Sequence, residues 1–495
     1  MSVWAGIDMG TSGIKVALFD DGESLLAAAS RRIEVQRLHP GWSEQSPEMW
    51  WDNVAACFDE LAADQPGLMA RLAGIGLSGQ MLGLVLLDEA HAPLRPAMLW
   101  NDQRALAECD ELLRRVPDIG RRADGAPDPG LIGPKLIWMA RHEPDILARA
   151  RMLLLPKDFV RLQLTGTILS EPTDGGGTML MDNASSTWDP ELCRALDWDM
   201  ARLPEMVNPW DEAGQLRADL AARWGTPARV AVAAGTGDNM ACTIGVGAAK
   251  PGDVVITIGT SGVVNAVDGA FHPAPEAAVL TAPHAAPAAF ISMGVVMSAT
   301  ASLDWLANLT GSSAAALAGE AEHYGSGGNW DSAPLMRPSL SGIRTPHNRP
   351  DVAGLIDGIT LTSDRAAMAF AVMEGVAYQV ADCAAAQQRA GVAFDNIRLV
   401  GGGSRSKLWG EMIATLLNKP ITVPDGAALA ANLGAARLGR IAAGGAETDL
   451  LARPLPIAAE WQARDEWRTR LQDRLALWRE LPMIAAPSLR KQKSS

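Results

Sequence analysis

Two stretches of the chain share one pattern of apolar and polar positions. In the first, Val3–Asp8 and Ile14–Asp20 are apolar, β-branched runs on either side of a glycine turn; in the second, "DVVITIG" and "GVVNAVDG" repeat the arrangement about half a chain later. Runs this short, split by glycine, predict β-hairpins. A third strand is expected within Ser24–Val35. Ser46-Pro47-Glu48 then marks a helix start, with Ser as the cap and Pro in the first turn; the helix runs through "EMWWDNVAACFDELAA". "LAGIGLSG" and "GLVLLD" read as strands. In the second half "RAAMAFAVMEGVAYQVADCAAAQQRAG" predicts a long helix closed by Gly391. "NIRLVGGGSRS" predicts a strand entering a glycine turn, "KLWGEMIATLLN" a helix, and "AALAANLGAARLGRIAAG" an Ala-rich final helix. The polar tail "PSLRKQKSS" is expected to fray. The order suits a duplicated α/β domain rather than a short-period solenoid, with a boundary near Gly245–Gly252.

The turns carry the candidate chemistry. The tetrapeptide GTSG stands at Gly10–Gly13 and again at Gly259–Gly262. Such a turn presents successive backbone N–H groups and two hydroxyls to one point, an arrangement that binds phosphate. Two of them, one from each half, suit a polyphosphate clamped between domains, and Lys15 adds a cation on the outgoing strand. Asp8 lies two residues before the first GTSG, where the second copy has Thr257. A carboxylate there makes sense if Mg²⁺ lies between it and the phosphates, through water; otherwise it caps its own turn. In "AAGTGDNM", Asp238 is flanked by Gly237 and Asn239, so it is expected to project from a turn, not a helix, as a general base. The glycines of "LVGGGSRS" allow flat close packing of an adenine ring or a phosphate. "GIGLSG" matches a dinucleotide fingerprint, but a strand-like run follows it where a helix must open. No G-x-x-x-x-G-K-[ST] is present. The seven His form no metal-spaced pair, and His347 is a site-edge candidate only.

Composition narrows the partners. A chain of 495 residues holds two or more domains. The formal net charge of −14 argues against nucleic acid and anionic membrane as partners, so a polyanionic ligand must be held by local groups. The five Cys are scattered without a CxxC pair, which points to reduced thiols in the cytoplasm. No basic segment precedes an apolar stretch at the N-terminus, so no signal peptide is expected. No apolar run approaches the roughly 20 residues of a membrane span.

"GIDMGTSGIKVALFD", "HPGWSEQSPEMWW", "GLSGQM", "LRPAMLWNDQR", "GPKLIWMARHEP", "LLPKDFVRLQLTG", "GTGDN", "IGTSG", "SGIRTPHNRP", "MEGVAY" and "GGGSRS" follow one another in this order. In this combination the chain resembles the FGGY carbohydrate kinases, and among them the xylulose kinases. The resemblance implies an α/β fold of two duplicated RNase-H-like (actin/Hsp70/hexokinase-like) domains with ATP in the cleft between them. Residues 1–247 would form the sugar-binding domain and 248–495 the nucleotide-binding domain. By the family's pattern Asp8 helps hold Mg²⁺, and Asp238 lies at the metal as the catalytic base. Gly10, Thr11, Ser12 and Lys15, with Gly259 and Thr260, face the phosphates; Gly402, Gly403 and Lys407 lie toward the adenosine. The sugar rests against Gln80, Met81, Leu82, Trp100, Asn101, Asp102 and Asn239. The expected reaction phosphorylates the terminal hydroxyl of a ketopentose, D-xylulose first, in a cytoplasmic enzyme; a homodimer is left open.

The chain departs from the pattern in places. Ile132 stands where the first family signature has Pro, Ser or Thr, Ala367 where the second has a polar residue, and Ile343 where xylulose kinases commonly have Glu. Their sugar loop reads G-Q-M-H-G, whereas Leu82 replaces the His here. A leucine offers a sugar hydroxyl no hydrogen bond, which leaves a related substrate such as 1-deoxy-D-xylulose as an alternative. A non-catalytic sugar sensor and an actin- or Hsp70-like ATPase are the rival classes; intact Asp8, GTSG turns and Asp238 argue against the first, and "GQM" with "WND" against the second.

Overall fold

The computed structural model describes residues 2–486 apart from 124 and 329; the tail expected to fray lies outside the described residues. The first sheet is built from β1 (Val3–Met9), β2 (Gly13–Phe19), β3 (Leu25–Arg32), β4 (Leu72–Gly79), β5 (Glu212–Gln215) and β6 (Ala231–Ala233), in the spatial order β5-β6-β4-β1-β2-β3. β1, β2 and β3 form an antiparallel meander, and β4 and β6 continue parallel to β1. The second sheet repeats this plan. It uses β7 (Asp253–Ile258), β8 (Gly262–Asp268), β9 (Leu280–Pro283), β10 (Phe290–Val296), β11 (Asn396–Val400), β12 (Ile421–Pro424) and β13 (Ile457–Trp461), in the order β9-β10-β8-β7-β11-β12-β13. In each half the first two strands make the hairpin that carries GTSG.

β1 is buried on both faces, which is why it reads as an unbroken apolar run. One face packs on α1 (Pro47–Asp64), through Trp50, Val54 and Phe58. Ser46 caps α1 as expected, its hydroxyl accepting from Met49 N at 3.4 Å. The other face receives a helix from the opposite end of the sequence, α8 (Ala430–Ala442). α8 lies backbone to backbone on the sheet. A Cβ at Gly6 would sit 1.8 Å from Asn432 O, and one at Gly76 1.7 Å from Ala435 O, so neither position admits a side chain. α8 also crosses α4 (Asp238–Gly245) closely: a Cβ at Gly245 would sit 1.9 Å from Ala430 O, and one at Gly434 2.0 Å from Ala241 O.

The remaining helices used below are α2 (Ile132–His142), α3 (Pro156–Thr165), α5 (Thr300–Thr310), α6 (Arg365–Arg389), α7 (Lys407–Leu417) and α9 (Asp465–Glu480). α6 runs through the core of the second half and ends beside Gly391, at φ +106°.

Two expectations need correction. Val85–Leu87 is a strand, but it pairs with Met152–Leu154 outside the main sheet, because the loop after β4 turns the chain away. α8 is not the final helix. β13 and α9 follow it; α9 is polar overall, and its buried stripe of Leu471, Leu475 and Trp478 was hidden among charges.

Candidate active site

The two GTSG turns hold their carbonyls inward and leave hydroxyls outward. At the first, Thr11 O accepts from Gln45 Nε2 at 2.8 Å and Ser12 O from Ile33 N at 3.2 Å. At the second, Gly259 O accepts from Thr300 N at 2.9 Å and Thr260 O from Ala301 N at 3.2 Å, both in the first turn of α5. Ser12, Thr260 and Ser261 stay exposed. The third glycine turn joins this group. Gly401 (φ +86°) lies against Ile258 O, 2.6 Å from where its Cβ would be, and Ile258 immediately precedes Gly259. Gly402 faces open space, with no atom within 4 Å of a Cβ built there. Lys407 is half exposed at the start of α7, with its ammonium 3.9 Å from Glu411 on its own helix.

Asp8 sits on β1 in register with Lys15 on β2 and Ser78 on β4. Ser78 Oγ donates to its Oδ1 at 3.2 Å. Burial raises the Asp8 pKa, against the opposing pull of Ser78 and Lys15. Asp238 is the first residue of α4, so it stands at a helix N-terminus and not in a free turn as expected. The helix escapes a local reading because its eight residues are mostly small and α8 supports them from about two hundred residues away. Asp238 Oδ1 accepts from Asn239 N at 2.8 Å and Asn239 Nδ2 at 3.1 Å. Burial first, and the Asp8 charge second, push the Asp238 carboxyl up to about 7. Both carboxylates also act on Cys242, one turn further along α4. Asp8 and Asp238 thus form a mutually repelling pair, one on each side of the loop that follows β4.

That loop holds Gln80, Met81 and Leu82. Gln80 N donates to Met9 O at 2.8 Å, and its buried side chain donates to Gln45 Oε1 at 2.7 Å, so Gln80 braces the first GTSG turn through Gln45. Met81 lies on Gly237, where a Cβ would meet its sulfur at 2.6 Å. Leu82 takes a left-handed backbone, φ +68°. Its side chain packs on Gly177, filling the space a Cβ there would need. Trp100 is 48% exposed and donates from Nε1 to Thr11 Oγ1 at 3.0 Å, which puts its ring beside the first turn. Asn101 Oδ1 is buried without a hydrogen-bond partner. Asp102 is a correction: it is fully buried, and its carboxylate is taken up by Ser43 N at 2.7 Å and by Arg104 Nε at 2.9 Å and Nη2 at 2.7 Å. It positions Arg104, which stacks over Trp42 at 3.6 Å, and has no oxygen left for a sugar. His347 belongs to another neighbourhood, near Arg337, Arg349, Arg389 and Asp382 of the second half.

Several supporting residues escaped the sequence reading. Thr173 Oγ1 accepts from Gly237 N at 3.1 Å and bonds Thr236 Oγ1 at 2.7 Å, which fixes the approach to Asp238. The adjacent Asp174 accepts from Leu82 N at 3.2 Å. Lys157, at the start of α3, lies 2.9 Å from both Asp158 and Glu171 and 3.6 Å from Asp174, all fully buried. Burial lifts the Asp174 carboxyl to about 8. In the sequence these look like ordinary helix-surface charges, and only tertiary packing reveals otherwise.

Known proteins are similar to this chain in sequence and fold. Residues 3–245 match the model of the N-terminal domain of the FGGY family of carbohydrate kinases, and residues 254–443 that of its C-terminal domain. A xylulose kinase of Escherichia coli K12 is 39% identical over 443 residues, 89% of this chain and 90% of its own. A "xyloylose kinase" from Brucella ovis superposes with a TM-score of 0.92 at 38% identity, covering 99% of this chain and 100% of that one. A glycerol kinase of Plasmodium falciparum, at 20% identity and a TM-score of 0.88, shares the fold over 98% of this chain. With the duplicated hairpins, the crossing helices and the sequence agreeing over nearly its whole length, the chain belongs to the FGGY family of carbohydrate kinases.

Proposed function

We propose that this kinase transfers the γ-phosphoryl group of ATP to the terminal hydroxyl of D-xylulose, giving D-xylulose 5-phosphate. The observation that carries this reading is the Asp8–Asp238 pair beside the first GTSG turn, with a second such turn in the other half. The relatives named above as xylulose kinases support the choice of ketose. In chain order the halves divide as 1–247 and 248–495, with α8 of the second packed on the sheet of the first and the nucleotide between them: phosphates at Gly10–Lys15 and Gly259–Thr260, adenosine toward Gly402–Gly403. The ketose lies against Met81, Leu82, Trp100 and Asn239.

Asp238 accepts the proton of the attacking hydroxyl; a carboxyl raised to about 7 is a suitable base near neutral pH. Asn239 holds the other side of that carboxylate, so the basic lone pair keeps one direction. The GTSG turns orient the phosphate chain, since phosphoryl transfer depends mostly on alignment and charge stabilisation. The donor set fits Mg²⁺. The Asp8 charge lies close enough to Asp238 to raise its pKa, so a cation between the two carboxylates would relieve the repulsion. Asp8 and Asp238 would hold the ion with water and phosphate oxygens, and it supplies charge neutralisation on the phosphates. Among the described residues no helix is long and apolar enough to cross a membrane, and five unpaired thiols fit a reducing, cytoplasmic setting.

The test is a panel of ketoses and polyols with ATP and Mg²⁺, followed by ADP release and by product phosphate. D-xylulose should give the highest kcat/KM. A higher value for glycerol or another polyol, or ADP release that no sugar stimulates, overturns the reading.

A further inference from the structure

Leu82 is held in an unusual way. Its left-handed backbone is disfavoured for an L residue and persists only where surrounding groups impose it. Both polar atoms of the residue are taken by buried charged side chains. The N–H donates to Asp174 Oδ1 at 3.2 Å; the carbonyl accepts from Lys135 Nζ at 2.8 Å. Lys135 is fully buried, and its hydrogen bonds go to carbonyls alone: Leu82 O, Met98 O at 3.3 Å and Gly130 O at 2.6 Å. These acceptors come from three segments. Met98 lies two residues before Trp100, and Gly130 abuts the Trp100 carbonyl, 1.9 Å from where its Cβ would be. Lys135 therefore ties the loop after β4 to the segment that presents Trp100.

Both groups are costly to bury in their ionised form. Burial lowers the Lys135 ammonium to about 7 and raises the Asp174 carboxyl to about 8. Asp174 Oδ2 has no hydrogen bond and shares the Lys157 ammonium with Asp158 and Glu171. Packing alone would be served better by apolar groups. Leu82, which they clamp, lies two residues after Gln80, which bonds beside Asp8, and directly after Met81, which touches the residue before Asp238.

We propose that Lys135 and Asp174 are positioning residues of the sugar site, which hold Leu82 in the left-handed conformation that shapes the ketose-binding loop. This rests on the ketose occupying that loop; wild-type turnover of D-xylulose decides that reading separately, before any variant is compared.

The test is steady-state kinetics of the full-length enzyme with D-xylulose and ATP varied in turn. In Lys135→Met, and likewise in Asp174→Leu, the KM for D-xylulose should rise about tenfold or more while the KM for ATP stays within about twofold. Leu82→Ile leaves both buried polar side chains in place but adds a β-branch that resists positive φ, so it should show the same split. The double variant Lys135→Met/Leu82→Asn should recover at least about threefold in ketose KM over Lys135→Met, because Asn takes this conformation readily. A general loss of packing would not be repaired by that change. An unchanged ketose KM in a folded Lys135→Met, a parallel rise in the KM for ATP, or no recovery in the double variant overturns the proposal. If Lys135→Met does not fold, Leu82→Ile decides alone: a raised ketose KM supports the proposal and an unchanged one overturns it.

Discussion

Replacing Asp238 by Asn should make the ligand-free enzyme inactive and more stable at once. The folded-state pKa of Asp238 is about 7, against 3.8 as its reference value. In the unfolded chain the group loses its proton near the reference value, and in the folded protein near 7. Between these limits the unfolded state binds fewer protons, so stability falls as pH rises through the window and the loss is complete above about 7. A difference of roughly three pH units at about 1.36 kcal/mol each sets an upper bound of about 4 kcal/mol. Partial solvent access reduces this, and we expect about 1–3 kcal/mol. Asn keeps the shape without the charge and so escapes the penalty. At about 2–4 °C per kcal/mol for domains of this size, Asp238→Asn should melt on the order of 2–10 °C above wild type at pH 8, with the gap closing toward pH 5. The measurement is a thermal melt of both proteins across that range, with chelator and without nucleotide. Turnover of the variant should fall at least about 100-fold. A variant that melts at or below wild type at pH 8, or a gap that does not vary with pH, would refute the burial and repulsion argument. Near-normal turnover would refute the role as base.

Leu82→His should lower any preference of the enzyme for 1-deoxy-D-xylulose over D-xylulose by roughly tenfold in kcat/KM, the equivalent of about 1.4 kcal/mol of polar mismatch relieved; an unchanged ratio means that Leu82 does not read that end of the sugar. Scattering with a non-hydrolysable ATP analogue and ketose together should show a smaller radius of gyration than the free enzyme, because both GTSG turns must reach one nucleotide; an equal radius with both ligands demonstrably bound counts against closure. Gly76→Ala should destabilise the protein by more than about 2 kcal/mol, since the added methyl meets the Ala435 carbonyl at 1.7 Å and α8 must lift off the sheet; a melt within about 1 °C of wild type would contradict the backbone contact.

The hairpins were legible because a strand buried on both faces reads as an apolar, β-branched run, and the GTSG tetrapeptide breaks that run between each pair of strands. The glycine-rich turn at Gly401–Gly403 was legible too: Gly401 and Gly403 mark where the chain comes too close to Ile258 for side chains, while Gly402 faces open space. Asp238 and Asp102 show the limit. Both are aspartates in short polar turns, and both were assigned to ligands. The deciding groups lie far off in sequence: α8 makes a helix N-terminus of one, while Ser43 draws the other inward onto Arg104. The clamp on Leu82 was less visible still. In the sequence Lys135 is one basic residue inside the run "GPKLIWMARHEP", and Asp174 one more polar residue before a glycine run. A buried charge looks like a surface charge until its neighbours are known.

The placement of α8 also bears on how the chain acquires its structure during synthesis. β1 and β4 emerge within the first 79 residues, but the helix that covers one face of their sheet ends at residue 442. More than 350 residues must be made in between, which takes on the order of 20–70 s at about 5–20 residues per second. Throughout that interval Trp4, Ala17 and Phe19, which α8 later buries, face outward on a nascent sheet. The first half therefore cannot complete its core as an autonomous unit when its own last residue appears. It waits for the far end of the message, so a premature stop anywhere before about residue 430 disables both halves.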